Sequence, residues 1–183
     1  EKSLHRHVGT LVHQIFERIT QAGSGVWDDV KEVQRIAAIQ QSLRGLGVRQ
    51  KDLREATQKV IAAVDRTLAS SRGKWLLASY PDQATELPLS GLKDKQLIHA
   101  VIDRTFVADG LRWVVDYKTS TPAPGEKLAD FFQREESRYQ PQLQIYAELM
   151  QRFDQDHPVK AALYFPLVDG WLEIDTAKDF FSP

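Results

Sequence analysis

The residues best placed to perform chemistry are Asp103, Asp116 and Lys118, which lie on two strand-like runs within residues 97–120. Both runs are rich in β-branched and aromatic residues, and the Asp109-Gly110 pair between them is a strong signal for a two-residue hairpin loop. In that register Asp103 faces Asp116 directly. Because side chains alternate along a strand, Lys118 is predicted on the same face as Asp116.

Two facing carboxylates need a cation between them. Directly opposed side chains are about 5 Å apart, and like charges at that distance are destabilising. Mg²⁺ is usually held by one or two carboxylates with water and phosphate oxygens. The apolar run Trp-Val-Val that precedes Asp116 argues against the alternative, a solvated strand with an Asp–Lys pair. The pattern therefore predicts metal-assisted phosphodiester hydrolysis. Lys118 would orient or deprotonate the water, or stabilise charge developing in the transition state.

His13 and Glu86 are two further candidates. His13 lies in residues 8–19, where apolar residues recur at helical spacing. A neutral imidazole is a good metal ligand, although a lone histidine on a helix is more often a surface or packing residue. Glu86 precedes a short strand predicted over residues 87–92 and ending at Gly91. It is either an ordinary loop acid or a further acidic member of the site.

Gln142 and Tyr146 place an amide and a phenol one turn apart on a predicted helix. Pro141 is predicted to begin this helix, since proline is favoured in the first turn, and the helix should run to about Phe153. The polar stretch 121–138 is predicted to be a mobile connection. Taken alone, the Gln–Tyr pair is equally typical of an amphipathic helix with a half-buried tyrosine.

The bulk composition is that of one soluble globular domain. The chain has 183 residues, 42% of them hydrophobic and 27% charged, and no cysteine. Its longest apolar runs fall far short of the ~20 residues of a membrane span. The absence of cysteine excludes disulfides, cysteine-based zinc sites and iron–sulfur clusters, and it fits a reducing cytoplasm. A net charge of −1 is low for a free nucleic-acid binder.

The order of predicted elements indicates an α/β fold with a mixed β-sheet and packed helices. Residues 26–77 are predicted to be mostly helical, broken near Gly45 and Gly47, and form a helical insertion or flank. Strand-like runs at 161–167 and 171–174 surround a second Asp-Gly pair. We expect one domain over residues 1–183. The start at Glu1, without an initiator Met or signal core, suggests a piece of a longer chain.

Five short motifs in this order resemble the RecB-like nucleases of the PD-(D/E)XK superfamily. The similarity covers residues 9–146, and the order of the motifs is more specific than any one of them. Ala100 stands where a glycine is frequent in the family. The matching residues are Gly9 and His13, Glu86, Asp103, Asp116 with Tyr117 and Lys118, and Gln142 with Tyr146.

The resemblance implies a restriction-endonuclease-like fold and a Mg²⁺-dependent deoxyribonuclease of exonuclease type, with Mn²⁺ as a substitute. It implies a role in DNA end processing and recombinational repair, within a cytoplasmic helicase–nuclease of the RecBCD or AddAB kind. The implied partners are DNA and the helicase domain, with no membrane. The lack of cysteine places the chain closer to RecB and AddA than to iron–sulfur members.

The resemblance also assigns roles to single residues. The metal ligands would be His13, Asp103, Asp116 and the backbone carbonyl of Tyr117. Lys118 would be the catalytic lysine, and Glu86 would join the catalytic acids. Gln142 and Tyr146 would line the DNA path.

Two other functions remain open from the sequence. One is an inactive nuclease-like module that binds DNA or a partner within a repair complex; failure to bind Mg²⁺ or Mn²⁺ would favour it. The other is an iron oxygenase with two histidines and one carboxylate. Its second histidine would have to be His99, which lies ~13 Å along the strand from Asp103, too far to share one metal ion.

Overall fold

The computed structural model describes residues 2–93 and 95–175. Within these ranges, no helix combines the length and the apolar character needed to cross a membrane. The helices and strands follow one another as α1 (Lys2–Ala22), α2 (Gly25–Asp28), α3 (Glu32–Gly45), a 3₁₀ turn (Gln50–Asp52), α4 (Leu53–Ala69), α5 (Ser71–Leu77), β1 (Ala84–Lys93), β2 (Gln96–Ala108), β3 (Leu111–Tyr117), α6 (Leu128–Phe153), β4 (Val159–Phe165) and β5 (Gly170–Ile174).

The contacts within the chain define two compact units. The helical unit comprises the described parts of residues 1–79, 117–121 and 165–170, and the sheet unit comprises those of residues 80–116, 122–164 and 171–183.

The helical unit is built from amphipathic helices. The helix predicted over residues 8–19 is confirmed, and α1 extends it in both directions. Its apolar stripe is buried, because Val8, Val12 and Phe16 recur at helical spacing and are at most 1% exposed. Gly23 ends the helix with φ +84° and donates its N–H to the carbonyl of Ile19, as C-terminal glycines commonly do. The predicted helical block over 26–77 is also confirmed.

The sheet unit carries the five-stranded sheet, in the order β1-β2-β3-β4-β5. The predicted hairpin between β2 and β3 is confirmed. Ala108 pairs with Leu111, and the loop residues Asp109 and Gly110 both have positive φ, as tight hairpin turns require. A mixed sheet with α6 packed on β1, together with the N-terminal helical block, confirms the predicted restriction-endonuclease-like α/β class.

The first strand is longer than predicted. β1 runs from Ala84 to Lys93 and passes straight through Gly91, which the sequence suggested as its end. The glycine is needed for packing, since a Cβ built there would lie 2.5 Å from Leu149 Cδ2 of α6. The strand also begins earlier than predicted, at Ala84, so Glu86 lies in the strand and not in the predicted loop.

The helix that carries Gln142 also begins earlier than predicted. α6 starts at Leu128, and Pro141 lies in its interior. Proline lacks an N–H and removes one helical hydrogen bond. The turns before it are nevertheless held in place, because Phe131 and Glu135 are fully buried. The polar stretch predicted as a mobile connection is therefore helical from Leu128 onward.

Candidate active site

Glu86 faces Asp103 across β1 and β2. One carboxylate oxygen of Glu86 and one of Asp103 lie within 4.8 Å of each other. Glu86 is exposed and Asp103 is half-buried. The pairs that flank them in the antiparallel register are Thr85 with Arg104 and Leu87 with Ile102.

Glu86 has an unusual backbone conformation for a strand residue. Its φ is +49°, whereas the other non-glycine residues with positive φ in the described chain, at 82, 95, 109 and 169, lie in turns. A residue other than glycine in this region costs of order 1–3 kcal/mol, and such strain is concentrated at functional sites. Glu86 is held in this conformation beside the other acids.

Asp116 continues the row on the next strand. The register of β2 with β3 pairs Arg104 with Val115, so the following position brings Asp103 opposite Asp116, as predicted. Asp116 is only 3% exposed. We call Glu86, Asp103 and Asp116 the acidic row, because they lie side by side on three adjacent strands.

Gln142 links Asp116 to Tyr146 on α6. Its Nε2 lies 3.4 Å from Asp116 Oδ1 and 2.6 Å from the Tyr146 hydroxyl oxygen, and it donates toward both. Gln142 and Tyr146 therefore share a helix face as predicted, and the Gln142 amide contacts Asp116, the buried member of the acidic row. Such contacts orient a carboxylate that has to hold a ligand.

His13 meets the backbone carbonyl of Tyr117 within the helical unit. His13 Nε2 lies 3.1 Å from that oxygen. The Tyr117 ring packs edge-on against His13 and Phe16, with ring centroids 5.4 and 5.1 Å apart. Adjacent ligands of an octahedral ion with 2.1 Å bonds are about 3.0 Å apart. His13 Nε2 and the Tyr117 carbonyl oxygen therefore have the spacing of neighbouring metal ligands. Without a metal ion, a protonated Nε2 donates a hydrogen bond to this oxygen.

Gly9 explains how α1 approaches the segment that follows β3. A Cβ built on Gly9 would lie 3.3 Å from Thr119 Oγ1, tighter than ordinary contact. A larger side chain would push the helix away from this segment. Because His13 is one turn further along the same helix face, its position relative to the Tyr117 carbonyl depends on this close approach.

Lys118 lies just beyond the last residue of β3, Tyr117, and is half-buried. Side chains alternate between faces only within a strand, so β3, which ends at Tyr117, does not fix Lys118 on the predicted face of Asp116. The sequence still places Lys118 directly after Tyr117 and two residues after Asp116.

The structure thus groups the predicted site residues in two sets. The sheet unit brings together the acidic row, Gln142 and Tyr146, whereas the helical unit contains the His13–Tyr117 contact and Lys118. His99 is in neither set, since its Nδ1 lies 2.8 Å from Ser90 Oγ.

A buried ion pair that was not predicted from the sequence anchors β3. Arg112 Nε of β3 lies 2.6 Å from Asp154 Oδ2 after α6, and both side chains are 8% exposed. Burial alone would raise the pKa of Asp154. Hydrogen bonds from Arg112 and His157 outweigh it and lower that pKa to about 2. The signal in the sequence was a charged residue, Arg112, between the apolar residues Leu111 and Trp113. Its partner Asp154 could not be identified because it lies 42 residues further along the chain.

The donor atoms suit a hard divalent cation. Carboxylate and carbonyl oxygens are the ligands that Mg²⁺ and Mn²⁺ prefer, and an imidazole nitrogen is also acceptable to Mn²⁺. The acidic row concentrates negative charge in a small space, which a cation would relieve.

Comparison with solved structures gives distant similarities, one of which is described here. The crystal structure of protein VC1899 from Vibrio cholerae aligns with 91% of this chain and 48% of that chain, at 10% identity and a TM-score of 0.30. The chain thus spans about half the length of that protein. A comparison with curated proteins finds no significant match.

Comparison with protein families is decisive. A family model described as the PD-(D/E)XK nuclease superfamily matches residues 1–174, which includes the acidic row, His13, Lys118 and the Gln142–Tyr146 pair. The chain belongs to the PD-(D/E)XK nuclease superfamily.

Proposed function

We propose that this chain is a Mg²⁺-dependent deoxyribonuclease that hydrolyses phosphodiester bonds from DNA ends, with Mn²⁺ as a substitute ion. The observation that carries the proposal is the acidic row, in which Glu86, Asp103 and Asp116 lie side by side on three adjacent strands. A purely structural role does not account for three neighbouring acids, one of them in a strained backbone conformation.

We assign the metal to His13, Asp103, Asp116 and the Tyr117 carbonyl. The bound ion would activate water and neutralise phosphate charge. Glu86 is positioned beside Asp103 to accept a proton or to orient the water. Its exposed carboxylate is open to solvent and substrate.

Lys118 and two residues of α6 have further roles in the proposed mechanism. Lys118 would supply an ammonium cation close to the reacting phosphate or, in its neutral amine form, accept a proton from the attacking water. An ammonium has no lone pair for the metal, so its role is separable from metal binding. Gln142 and Tyr146 hold Asp116 in place and line the DNA path.

The wider setting of the proposal is a helicase–nuclease of the RecB type. The order of the motifs and the absence of cysteine support a RecB-like or AddA-like domain without an iron–sulfur cluster. A net charge of −1 fits a nuclease whose DNA is delivered by a helicase domain of the same chain or complex. End processing during recombinational repair in the cytoplasm is the role that suits such an assembly.

The test is digestion of matched linear and circular DNA, single- and double-stranded, with Mg²⁺, Mn²⁺ or EDTA. We expect metal-dependent loss of linear DNA with release of short products, while circular DNA survives. Endonucleolytic cutting of circles would keep the nuclease but overturn the exonuclease assignment.

Asp116→Asn and Asp109→Asn are the matched variants for this assay. Both remove one carboxylate from the same hairpin, but Asp109 lies in the exposed turn outside the acidic row. Only Asp116→Asn should abolish digestion. A parent chain that binds DNA without cutting any substrate would instead support the inactive binding module.

A further inference from the structure

Arg138 and Tyr139 lie on α6, one turn before Gln142. The guanidinium carbon of Arg138 is 5.1 Å from the centre of the Tyr139 ring. Residues four apart share a helix face, so Arg138 lies beside Gln142, about 6 Å closer to the start of α6. Gln142 Nε2 is in turn 3.4 Å from Asp116 Oδ1. Within the sheet unit, the Arg138–Tyr139 pair therefore adjoins the residue that contacts the acidic row.

The charge of Arg138 is not balanced by a carboxylate. α6 has three arginines, and the other two, Arg134 and Arg152, form ion pairs with nearby glutamates. Arg138 is exposed, and within residues 2–93 and 95–175 no carboxylate forms an ion pair with it. Glu135, one turn before Arg138, is fully buried and already paired with Arg134. Arg138 is thus a cation that is available to an anionic ligand.

The Tyr139 ring is accessible as well. Tyr139 is half-buried, so the helix restrains the ring while part of its surface stays open to solvent. A second arginine of α6, Arg134, also lies over a ring, but its partner Phe131 is fully buried and no ligand can reach it. Accessible aromatic rings and guanidinium groups are the side chains on which unpaired bases stack. The Arg138–Tyr139 pair offers both at one place.

A cation at this position answers an electrostatic need of the site. The carboxylates of the acidic row repel a polyanionic strand, and the chain as a whole carries a net charge of −1. The metal ion of the proposed function offsets this repulsion only at the phosphate that it binds. A guanidinium beside Gln142 does the same for the neighbouring phosphate, since arginine pairs with phosphate oxygens through two parallel hydrogen bonds.

We infer that Arg138 and Tyr139 bind one nucleotide of a single-stranded DNA end, next to the nucleotide whose phosphate lies at the acidic row. This inference rests on the proposed nuclease function. The Arg138 guanidinium turns from the ring to a phosphate oxygen, and the Tyr139 ring that it uncovers stacks on the base. In a duplex the base faces are stacked on one another. The pair therefore favours a single strand over a duplex.

The two side chains leave different signatures in binding measurements. A guanidinium that neutralises one phosphate releases counterions, so its contribution to affinity falls as salt rises. Stacking on a ring releases none, and its contribution stays the same at low and high salt. Stacking also needs an unpaired base, whereas a phosphate is present in single strands and duplexes alike. The roles of Arg138 and Tyr139 can therefore be measured separately.

The experiment measures DNA binding by fluorescence anisotropy over a range of salt concentrations, with Ca²⁺ in place of Mg²⁺ to suppress cleavage. The probes are a labelled single strand of about twelve nucleotides and the blunt duplex of the same sequence. The variants are Tyr139→Leu, which removes the ring, Tyr139→Phe, which keeps it, and Arg138→Gln, which removes the charge. Arg54→Gln is the control, because Arg54 is an exposed arginine on α4, outside the sheet unit.

We expect Tyr139→Leu to lose about tenfold in affinity for the single strand at every salt concentration. Its affinity for the duplex should not change, and Tyr139→Phe should bind both probes like the parent. Arg138→Gln should bind the single strand more weakly, with a slope of log affinity against log salt that is smaller by about 0.7. Arg54→Gln should keep the parental slope.

Three results would overturn the inference. They are equal single-strand affinities for Tyr139→Leu and Tyr139→Phe, an equal loss of duplex binding in Tyr139→Leu, and a parental salt slope in Arg138→Gln. Because Tyr139 is half-buried, the melting temperature of Tyr139→Leu is compared with that of the parent. If that variant does not fold, the salt slope of the exposed Arg138→Gln variant decides alone.

Failure of this inference can be told apart from failure of the proposed function. If the Arg138 and Tyr139 variants bind like the parent while the parent cleaves and Asp116→Asn does not, the nuclease stands and the nucleotide-binding pair does not. If these variants lose single-strand affinity as expected but the parent never cleaves, the binding pair stands and the nuclease assignment is wrong.

Discussion

Glu86 and Asp103 face each other on adjacent strands, with carboxylate oxygens within 4.8 Å. Asp116 occupies the next position of the same row and is almost completely buried. Like charges at such distances oppose folding, and a bound cation reverses that effect. Under the proposed function, metal binding, stability and catalysis all depend on the acidic row, and each dependence can be tested separately.

We expect divalent metal to raise the melting temperature. A ligand at about 100 times its Kd stabilises the folded state by about 2.7 kcal/mol, which for a chain of this size corresponds to about 5–10 °C. Differential scanning fluorimetry with Mn²⁺ against EDTA measures it. Asp116→Asn should remove most of the increase and Asp109→Asn should keep it. An equal response from both variants would contradict a site at Asp116.

Replacing Glu86 with glycine should relieve backbone strain but lower the rate of cleavage. Glycine adopts positive φ without steric cost, so Glu86→Gly should relieve the strain, whereas Glu86→Gln removes the charge and keeps the strain. We expect Glu86→Gly to be about 1 kcal/mol more stable than Glu86→Gln by urea unfolding. Both variants should cleave DNA more slowly than the parent. A less stable glycine variant would contradict the strain at this position.

Lys118→Ala should separate catalysis from metal binding. Losing one positioned group that stabilises transition-state charge typically costs about 10²–10³ in rate. We expect single-turnover cleavage to fall by this factor while Mn²⁺ affinity, measured by calorimetry, stays near the parent value. Lys59→Ala is the control, because Lys59 pairs with Glu55 on the surface of α4. Cleavage by Lys118→Ala near the parental rate would show that the proposed mechanism is wrong.

Tyr146→Phe tests the contact between α6 and the acidic row. The substitution keeps the ring but removes the hydroxyl oxygen that lies 2.6 Å from Gln142 Nε2. Outer contacts to a metal-binding residue are typically worth about 10–100-fold in activity or metal affinity. We expect a loss in this range for Tyr146→Phe and for Gln142→Leu. Gln144→Leu on the same helix is the control, and an equal loss there would indicate general damage to α6.

Acid should weaken the fold through Asp154. Its pKa in the folded chain is about 2, below the ordinary value of 3.8, so the folded state binds this proton less readily than the unfolded chain. The stability it contributes is complete above about pH 4 and is lost as the pH falls towards 2. Asp154→Asn should lack this part of the pH dependence.

Urea unfolding at stepwise pH measures the effect of Asp154. At neutral pH the Asp154→Asn variant should be less stable by about 3 kcal/mol, because Arg112 would stay buried without its carboxylate. The unfolding free energies of the parent and the variant should converge as the pH falls towards 2. Parallel curves for parent and variant over the acid range would contradict the ion pair as the source.

Sequence alone determined the features that depend on local chemistry. The Asp109-Gly110 turn sets the register of β2 with β3, because a two-residue loop allows one pairing. That register places Asp103 opposite Asp116. The spacing of Val8, Val12 and Phe16 likewise predicted α1, and the order of the motifs predicted the superfamily, which the family comparison confirms.

Only the tertiary structure decided where β1 and α6 begin. β1 begins at Ala84 and therefore includes Glu86. The strand also continues past Gly91, where Leu149 of α6 approaches too closely for a Cβ. α6 starts at Leu128 because Phe131 and Glu135 are buried, although Pro141 lies in the helix interior and the surrounding sequence is polar. Turn sterics and helical periodicity act over a few residues and can be recognised in a sequence. Burial between distant segments depends on which segments meet, and a single chain does not show this.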